Sequence, residues 1–128
     1  MLVSEKEILE LKEFIFQLNS ITENSAIVVE GKRDSTALKK LGYFGKVLEF
    51  HKFEGMIDFT DTVAKYERLI VLFDRDKKGK TLTEKTVQLL QRRTKVDLSF
   101  KRRLQEITCG KIMFVEQLVC YESFLSKD

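Results

Sequence analysis

The sequence predicts an α/β fold built on a mostly parallel sheet. Three observations lead there. Two short, β-branched, unbroken apolar runs, Ala26-Ile27-Val28-Val29 and Leu69-Ile70-Val71-Leu72-Phe73, have the composition of strands buried on both faces. Helical stripes alternate with these runs along the chain, the pattern of right-handed βαβ units. Each run ends in acids, Glu30-Gly31 after the first and Asp74-Arg75-Asp76 after the second, where an open α/β sheet places its functional crevice.

The elements follow in order. Ser4 with Glu7 three residues on makes a capping-box pattern, and Ile8, Leu11, Ile15 and Leu18, widened by Phe14, give a helical stripe, so a helix is predicted over 4–19. Polar residues 19–25 read as a loop, and the first strand runs over 26–29. A helix is expected over 34–41, ended by Gly42, then a second strand over 46–50. Met56, Phe59, Val63 and Tyr66 predict a helix over 56–66, and the third strand follows at 69–73. A helix is read over 82–92 with Val87, Leu89 and Leu90 apolar, and a short fourth strand at 95–98. Helices are predicted over 100–107 and 113–125, the second with Phe114, Leu118, Tyr121 and Leu125 on one side. With 128 residues, no proline and no linker rich in glycine or serine, one domain is expected over 1–128, its core at about 24–98 and a helical extension at 99–126.

Composition narrows the function classes. The hydrophobic fraction is 43% and the charged fraction 34%, values of a globular chain. No apolar run approaches the roughly 20 residues that span a bilayer. The start, Met1-Leu2-Val3-Ser4-Glu5-Lys6-Glu7, lacks the basic and apolar segments of a secretory signal, so cytoplasm is the expected location. Cys109, Cys120 and the single histidine, His51, are too few for a Cys/His zinc site. The net charge of +3 hides an asymmetry: residues 1–30 carry six acids against two bases, whereas 74–103 carry eleven bases against four acids. A basic excess beside carboxylates suits a polyanion such as nucleic acid, although a solvated lysine-rich face has the same composition.

The acidic clusters carry the chemistry. Asp74 and Asp76 stand at i and i+2, which in extended backbone turns both carboxylates to one face. Glu30 is expected to approach from the neighbouring strand. Carboxylates crowded in this way call for a cation, and hard oxygen donors suit Mg2+ or Mn2+. Gly31 is read as a sharp strand-to-helix turn and Gly79 as a similar turn after the second cluster. Asp34 is either a site acid or a plain helix cap. Lys32, Arg33, Lys77, Lys78 and Lys80 flank the acids as candidate phosphate ligands.

Val29-Glu30-Gly31-Lys32-Arg33-Asp34 and Phe73-Asp74-Arg75-Asp76-Lys77-Lys78-Gly79 together resemble the two motifs of the Toprim family. That domain is shared by type IA and type II topoisomerases, bacterial-type primases, the ribonuclease that matures 5S ribosomal RNA, and related nucleases. The chain is most similar to small stand-alone archaeal members, whose pattern also resembles Arg102-Arg103-Leu104 and Val115-Glu116-Gln117-Leu118. The resemblance covers about residues 24–98. It implies a compact Rossmann-like fold of four parallel strands, with Mg2+ on Asp74 and Asp76 and Glu30 as general acid/base or a further ligand. Asp34 matches a less uniform acid of primases and maturases, and Arg102 and Arg103 join the expected nucleic-acid contacts.

Some activities of that family do not fit in this sequence. A topoisomerase needs a nucleophilic tyrosine in another domain, and Tyr43, Tyr66 and Tyr121 all lie in apolar or helical surroundings. A primase needs a zinc-binding domain and a polymerase body. What the resemblance leaves is a Mg2+-dependent module acting on DNA or RNA by nuclease-like phosphodiester chemistry. The alternative is a non-catalytic nucleic-acid-binding subunit whose acidic N-terminal helix and Tyr121-bearing segment face a protein partner in a larger complex. A third reading, an aspartyl-phosphate phosphatase, fails on position: its Asp-x-Asp follows the first strand, and Glu30-Gly31 is left unexplained.

Overall fold

The computed structural model describes residues 2–125. Its sheet has four strands, all parallel, in the order β2-β1-β3-β4. The strands are β1 (Ser25–Val29), β2 (Val47–Glu49), β3 (Arg68–Val71) and β4 (Lys95–Asp97), interleaved with α1 (Glu5–Asn19), α2 (Lys32–Lys40), α3 (Met56–Val63), α4 (Lys77–Leu90) and α5 (Ser99–Ile107). Ile27 of β1 stands level with Val47 of β2 and with Ile70 of β3.

Side chains two apart share a face, and this divides the core in two. Ile27, Val29, Ile70 and Leu72 pack against α1, α2, α5 and the segment after it, including Phe14, Leu38, Leu104 and Leu118. Val28, Leu69, Val71 and Phe73 pack against α3 and α4 through Phe59, Val63 and Leu90. Phe59 and Phe73 are fully buried there, and Phe50 meets both edge-on at ring-centroid distances of 5.3 and 5.9 Å. β1 and β3 are therefore covered on both sides, which explains their unbroken apolar sequences. The chain leaves β1 toward β2 on one side and returns to β3 on the other. The switch point thus lies between the ends of β1 and β3, where Glu30 and Asp74 sit.

The sequence boundaries shift where polar bonds override periodicity. Ser4 caps α1 by accepting the Glu7 N–H at 3.1 Å. The reciprocal half of the capping box is missing because Glu7 turns inward. It is buried, with Lys111 Nζ at 2.8 Å and the Tyr121 hydroxyl donating at 3.0 Å. The helix α4 starts five residues before the predicted 82, because Asp76 caps it. Of its apolar residues Leu90 is buried, with Thr86, and Val87 is exposed.

The predicted helix over 113–125 is not one continuous α-helix. Val115–Tyr121 is a 3₁₀ segment, and α6 (Glu122–Leu125) follows it. Gln117 Oε1 accepts the N–H groups of Met113 and Phe114, both at 2.9 Å, while the next two N–H groups go to acids of the sheet edge. The tighter winding puts Val115, Leu118 and Tyr121, three apart, on one buried face. The expected boundary at 126 falls outside the described residues. Among the described residues no helix is long and apolar enough to cross a membrane.

Candidate metal and phosphate site

Glu30 follows β1 directly, and its Oε2 accepts the backbone N–H of Asp74 at 2.8 Å. Two motifs 44 residues apart are thereby joined at the switch point. Asp74 is buried, and its Oδ1 accepts the Val115 N–H at 2.7 Å. Asp34 lies in the first turn of α2 and is also buried. Its Oδ2 accepts the Gly31 N–H at 3.1 Å and its Oδ1 accepts the Glu116 N–H at 3.1 Å. Asp34 thus caps its own helix while its charge acts on Asp74 beside it. Two successive N–H groups of the 3₁₀ segment hold acids from two different elements.

Asp76 goes elsewhere. Its Oδ1 accepts the Gly79 N–H at 2.8 Å at the start of α4. The expectation that Asp74 and Asp76 face one cation together is therefore not met in this arrangement: helix formation straight after Asp76 claims its side chain. Among the described residues no group of three or more His, Cys, Asp or Glu side chains is disposed to hold a metal ion.

Burial dominates the protonation of the acids. Burial pushes the Asp74 carboxyl up to about 7; the Val115 N–H opposes this, and the charges of Asp34 and Glu30 add to it. Burial likewise raises Asp34, with the Gly31 N–H opposing and Glu30 adding. Lys101, from α5, donates to the Asp74 carbonyl oxygen at 3.3 Å. Burial lowers its ammonium, and Asp74 and Glu30 pull the other way. Asp74, Asp34 and Glu30 are hard oxygen donors, the type a divalent cation takes, and a cation among them would offset the repulsion that adds to the rise at Asp74.

The glycines act differently from expectation. Gly31 has φ −150° and ψ −175°, extended backbone that any residue adopts, and a side chain there would meet nothing closer than His51 Cδ2 at 3.9 Å. Gly79 is not in a turn but in the first turn of α4. A Cβ there would overlap the Asp74 carbonyl oxygen and stand 2.6 Å from its carbonyl carbon. Glycine therefore lets α4 start against the end of β3.

Of the predicted phosphate ligands, Lys32 and Arg33 line a hollow of about 480 Å³ with Lys40 and Glu116, and Arg33 pairs with Glu116 at 3.8 Å. Lys77, Lys78 and Lys80 stand exposed in the first turn of α4. Arg102 and Lys80 share a second hollow with Arg75 and Lys101. Arg103 is not brought to the site: its guanidinium lies over the Phe14 and Phe100 rings at 5.8 and 5.5 Å and beside Glu10, Glu13 and Glu106.

Sequence reading names Lys101 with Arg92, Arg93, Arg102 and Arg103 as basic residues for nucleic-acid affinity, and it missed Glu49. Glu49 ends β2 and accepts from Ser35 Oγ at 2.8 Å, and its other oxygen lies 2.9 Å from His51 Nε2. An acid straight after the apolar pair Val47-Leu48 was the available signal for Glu49. The 115–118 stretch carried a resemblance but no role, and its role here is to supply backbone donors.

No family model matches the chain. A UPF0292 protein of Thermococcus sibiricus is 33% identical over 96 residues, 74% of this chain and 75% of the relative. One from Pyrococcus furiosus is 32% identical over 114 residues, covering 89% and 79%, and one from Methanosarcina acetivorans is 31% identical over 123 residues, covering 94% and 85%. A solved structure of a protein from Aquifex aeolicus matches with a TM-score of 0.68 at 30% identity, covering 84% of this chain and 96% of that one. With identities of 31–33% over at least 74% of this chain and 75% of each relative, the chain belongs to the UPF0292 protein family.

Proposed function

We propose that this protein is a Toprim-like, Mg2+-dependent nucleic-acid-processing enzyme with nuclease-like phosphodiester chemistry. The observation that carries the reading is the bond from the Asp74 N–H to Glu30, which sets two acids from separate motifs against each other at the sheet's switch point, with Asp34 beside them. Asp74 and Glu30 would hold the cation, with Asp76 as the next carboxylate along the chain. When bound, it would stabilise charge on a scissile phosphate and activate water. Glu30 serves as the proton-transferring carboxylate. Lys77, Lys78 and Lys80 support a polyanionic substrate for a specific reason. Cations in the first turn of a helix stand against its dipole, so they gain little from the fold and are available to a phosphate.

One observation favours the second reading, a non-catalytic nucleic-acid-binding subunit: Asp76 is engaged as a helix cap, and among the described residues no group of three acids is disposed to hold a metal ion. Labelled single- and double-stranded DNA and RNA, incubated with Mg2+, Mn2+ or EDTA, decide between the two. The expected result is metal-dependent cutting that falls at least about 100-fold in Glu30→Gln and in Asp74→Asn. Cutting retained in both variants would sink the enzyme reading. Salt-sensitive binding without cutting selects the subunit.

A further inference from the structure

On the α4–α5 side of Asp74 lies an open hollow of about 250 Å³, walled by Arg75, Lys80, Thr83, Lys101, Arg102 and Gln105. Its lining holds four cationic side chains and no carboxylate. The other basic hollows differ. Glu116 stands among Lys32, Arg33 and Lys40, and Arg103 faces three glutamates. No acid lines this hollow; Asp74 and Glu30 act on Lys101 from the adjoining centre.

Two of the four cations are already fixed. Arg75 Nη1 donates to the carbonyls of Gly110 at 3.1 Å and Ile112 at 2.9 Å, and its backbone N–H donates to Met113 at 2.8 Å. Lys101 Nζ is held on the Asp74 carbonyl. Lys80 and Arg102 are exposed arms with no ion-pair partner among the described residues. Fixed groups lose little freedom when a ligand arrives, so a small anion meets two preorganised donors and two mobile ones.

The charge of the occupant follows from the surplus. An internal phosphodiester brings one negative charge, whereas a phosphate monoester brings about −1.5 to −2 near neutrality, with three acceptor oxygens. Arg75 is the residue after Asp74, and Lys101 touches both the hollow and Asp74, so an occupant sits directly beside the Glu30–Asp74 centre. We propose that this hollow receives the terminal phosphate monoester of a nucleic-acid strand, so that the protein works at phosphorylated strand ends. The proposal rests on the nucleic-acid reading above and specifies its substrate class.

The test is fluorescence anisotropy, at fixed salt in EDTA, with one single-stranded sequence carrying a 5′-phosphate, a 3′-phosphate or hydroxyl ends. A free mononucleotide and its nucleoside compete for the hollow in parallel. Wild type is expected to bind one phosphorylated strand about tenfold or more tightly than the hydroxyl strand. The Lys80→Ala/Arg102→Ala variant, its fold checked by circular dichroism, is expected to lose that preference. Equal wild-type affinity for all three strands overturns the proposal, even if strands are bound and cut. A preference shown by the mononucleotide alone overturns the strand-end assignment in favour of a small phosphate ester. A phosphate preference that persists in the double variant removes this hollow as its source. Metal-dependent cutting, scored separately, judges the parent reading.

Discussion

Gly79→Ala sets two local rules against each other. In the first turn of a helix, alanine is favoured over glycine by about 1 kcal/mol, so propensity alone predicts a more stable protein. The structure predicts the reverse. The added Cβ overlaps the Asp74 carbonyl oxygen and lies 2.6 Å from its carbon and 3.0 Å from its nitrogen, all backbone atoms with no rotamer to yield. Carbon–carbon contacts settle at about 3.5–4.0 Å, so α4 must move away from the end of β3 by about 1 Å. Overpacking of this kind costs about 3 kcal/mol at its upper end, and the strained Asp76 cap adds about 1 kcal/mol. The net is a loss of about 3 kcal/mol, or a melting point lower by roughly 12 °C for a domain of this size. Gly31→Ala is the control, because its nearest neighbour is 3.9 Å away; it should stay within about 0.5 kcal/mol of wild type. Thermal melts with urea titration measure both. A Gly79→Ala protein as stable as wild type would show slack between helix and strand, and the account of how Asp74 is held would fail.

Three further outcomes are expected. Because the Asp74 carboxyl is raised to about 7 in the fold, the native state binds more protons than the unfolded chain between about pH 4 and 7, and metal-free protein loses stability as pH rises through that window, by about 2–4 kcal/mol. Asp74→Asn should flatten this slope in melts in EDTA and be the more stable protein at pH 8; an unchanged slope would remove Asp74 as its source. At pH 8 a cation at about 100 times its Kd should stabilise wild type by about 2.7 kcal/mol and leave Asp74→Asn unaffected, which calorimetry with Mg2+ or Mn2+ reads directly. Burial raises the Glu7 carboxyl, but Lys111 and Tyr121 outweigh it and hold it low, so this pair stabilises the fold above the usual carboxylate range and is lost as acid protonates it. Glu7→Ala should cost about 2–4 kcal/mol and Tyr121→Phe about 1 kcal/mol by chemical denaturation; a neutral Glu7→Ala would contradict the buried pair.

The sheet was legible because two strands are apolar on both faces and each ends in acids, a pattern with few other physical explanations. Local spacing could not show where side chains go once the chain has turned. Asp74 and Asp76 are two apart, yet a helix cap takes one and a buried cluster takes the other. Glu7 matches a capping box by spacing, yet a lysine 104 residues away claims it. The segment at 113–125 has helical periodicity, but long-range bonds from its first N–H groups wind it more tightly. Except at Asp76, whose cap is local, a tertiary polar bond of short length displaced a local preference of about 1 kcal/mol. Arg103 shows the converse, since a basic run reads as one surface while α5 turns its members to different sides.

The backbone donors for Asp34 and Asp74 lie 82 and 41 residues downstream of the acids they hold. During synthesis at about 5–20 residues per second, Asp34 would wait roughly 4–16 seconds for its partner to be made. The sheet strands β1 and β3 are complete well before then. A nascent chain therefore passes through a stage in which the acids are already neighbours, with Asp34 held by the Gly31 N–H, but the donors of the 3₁₀ segment do not yet exist. Order in time is thus written into the connectivity: the scaffold is made first, and the competence of its edge arrives with the 3₁₀ segment.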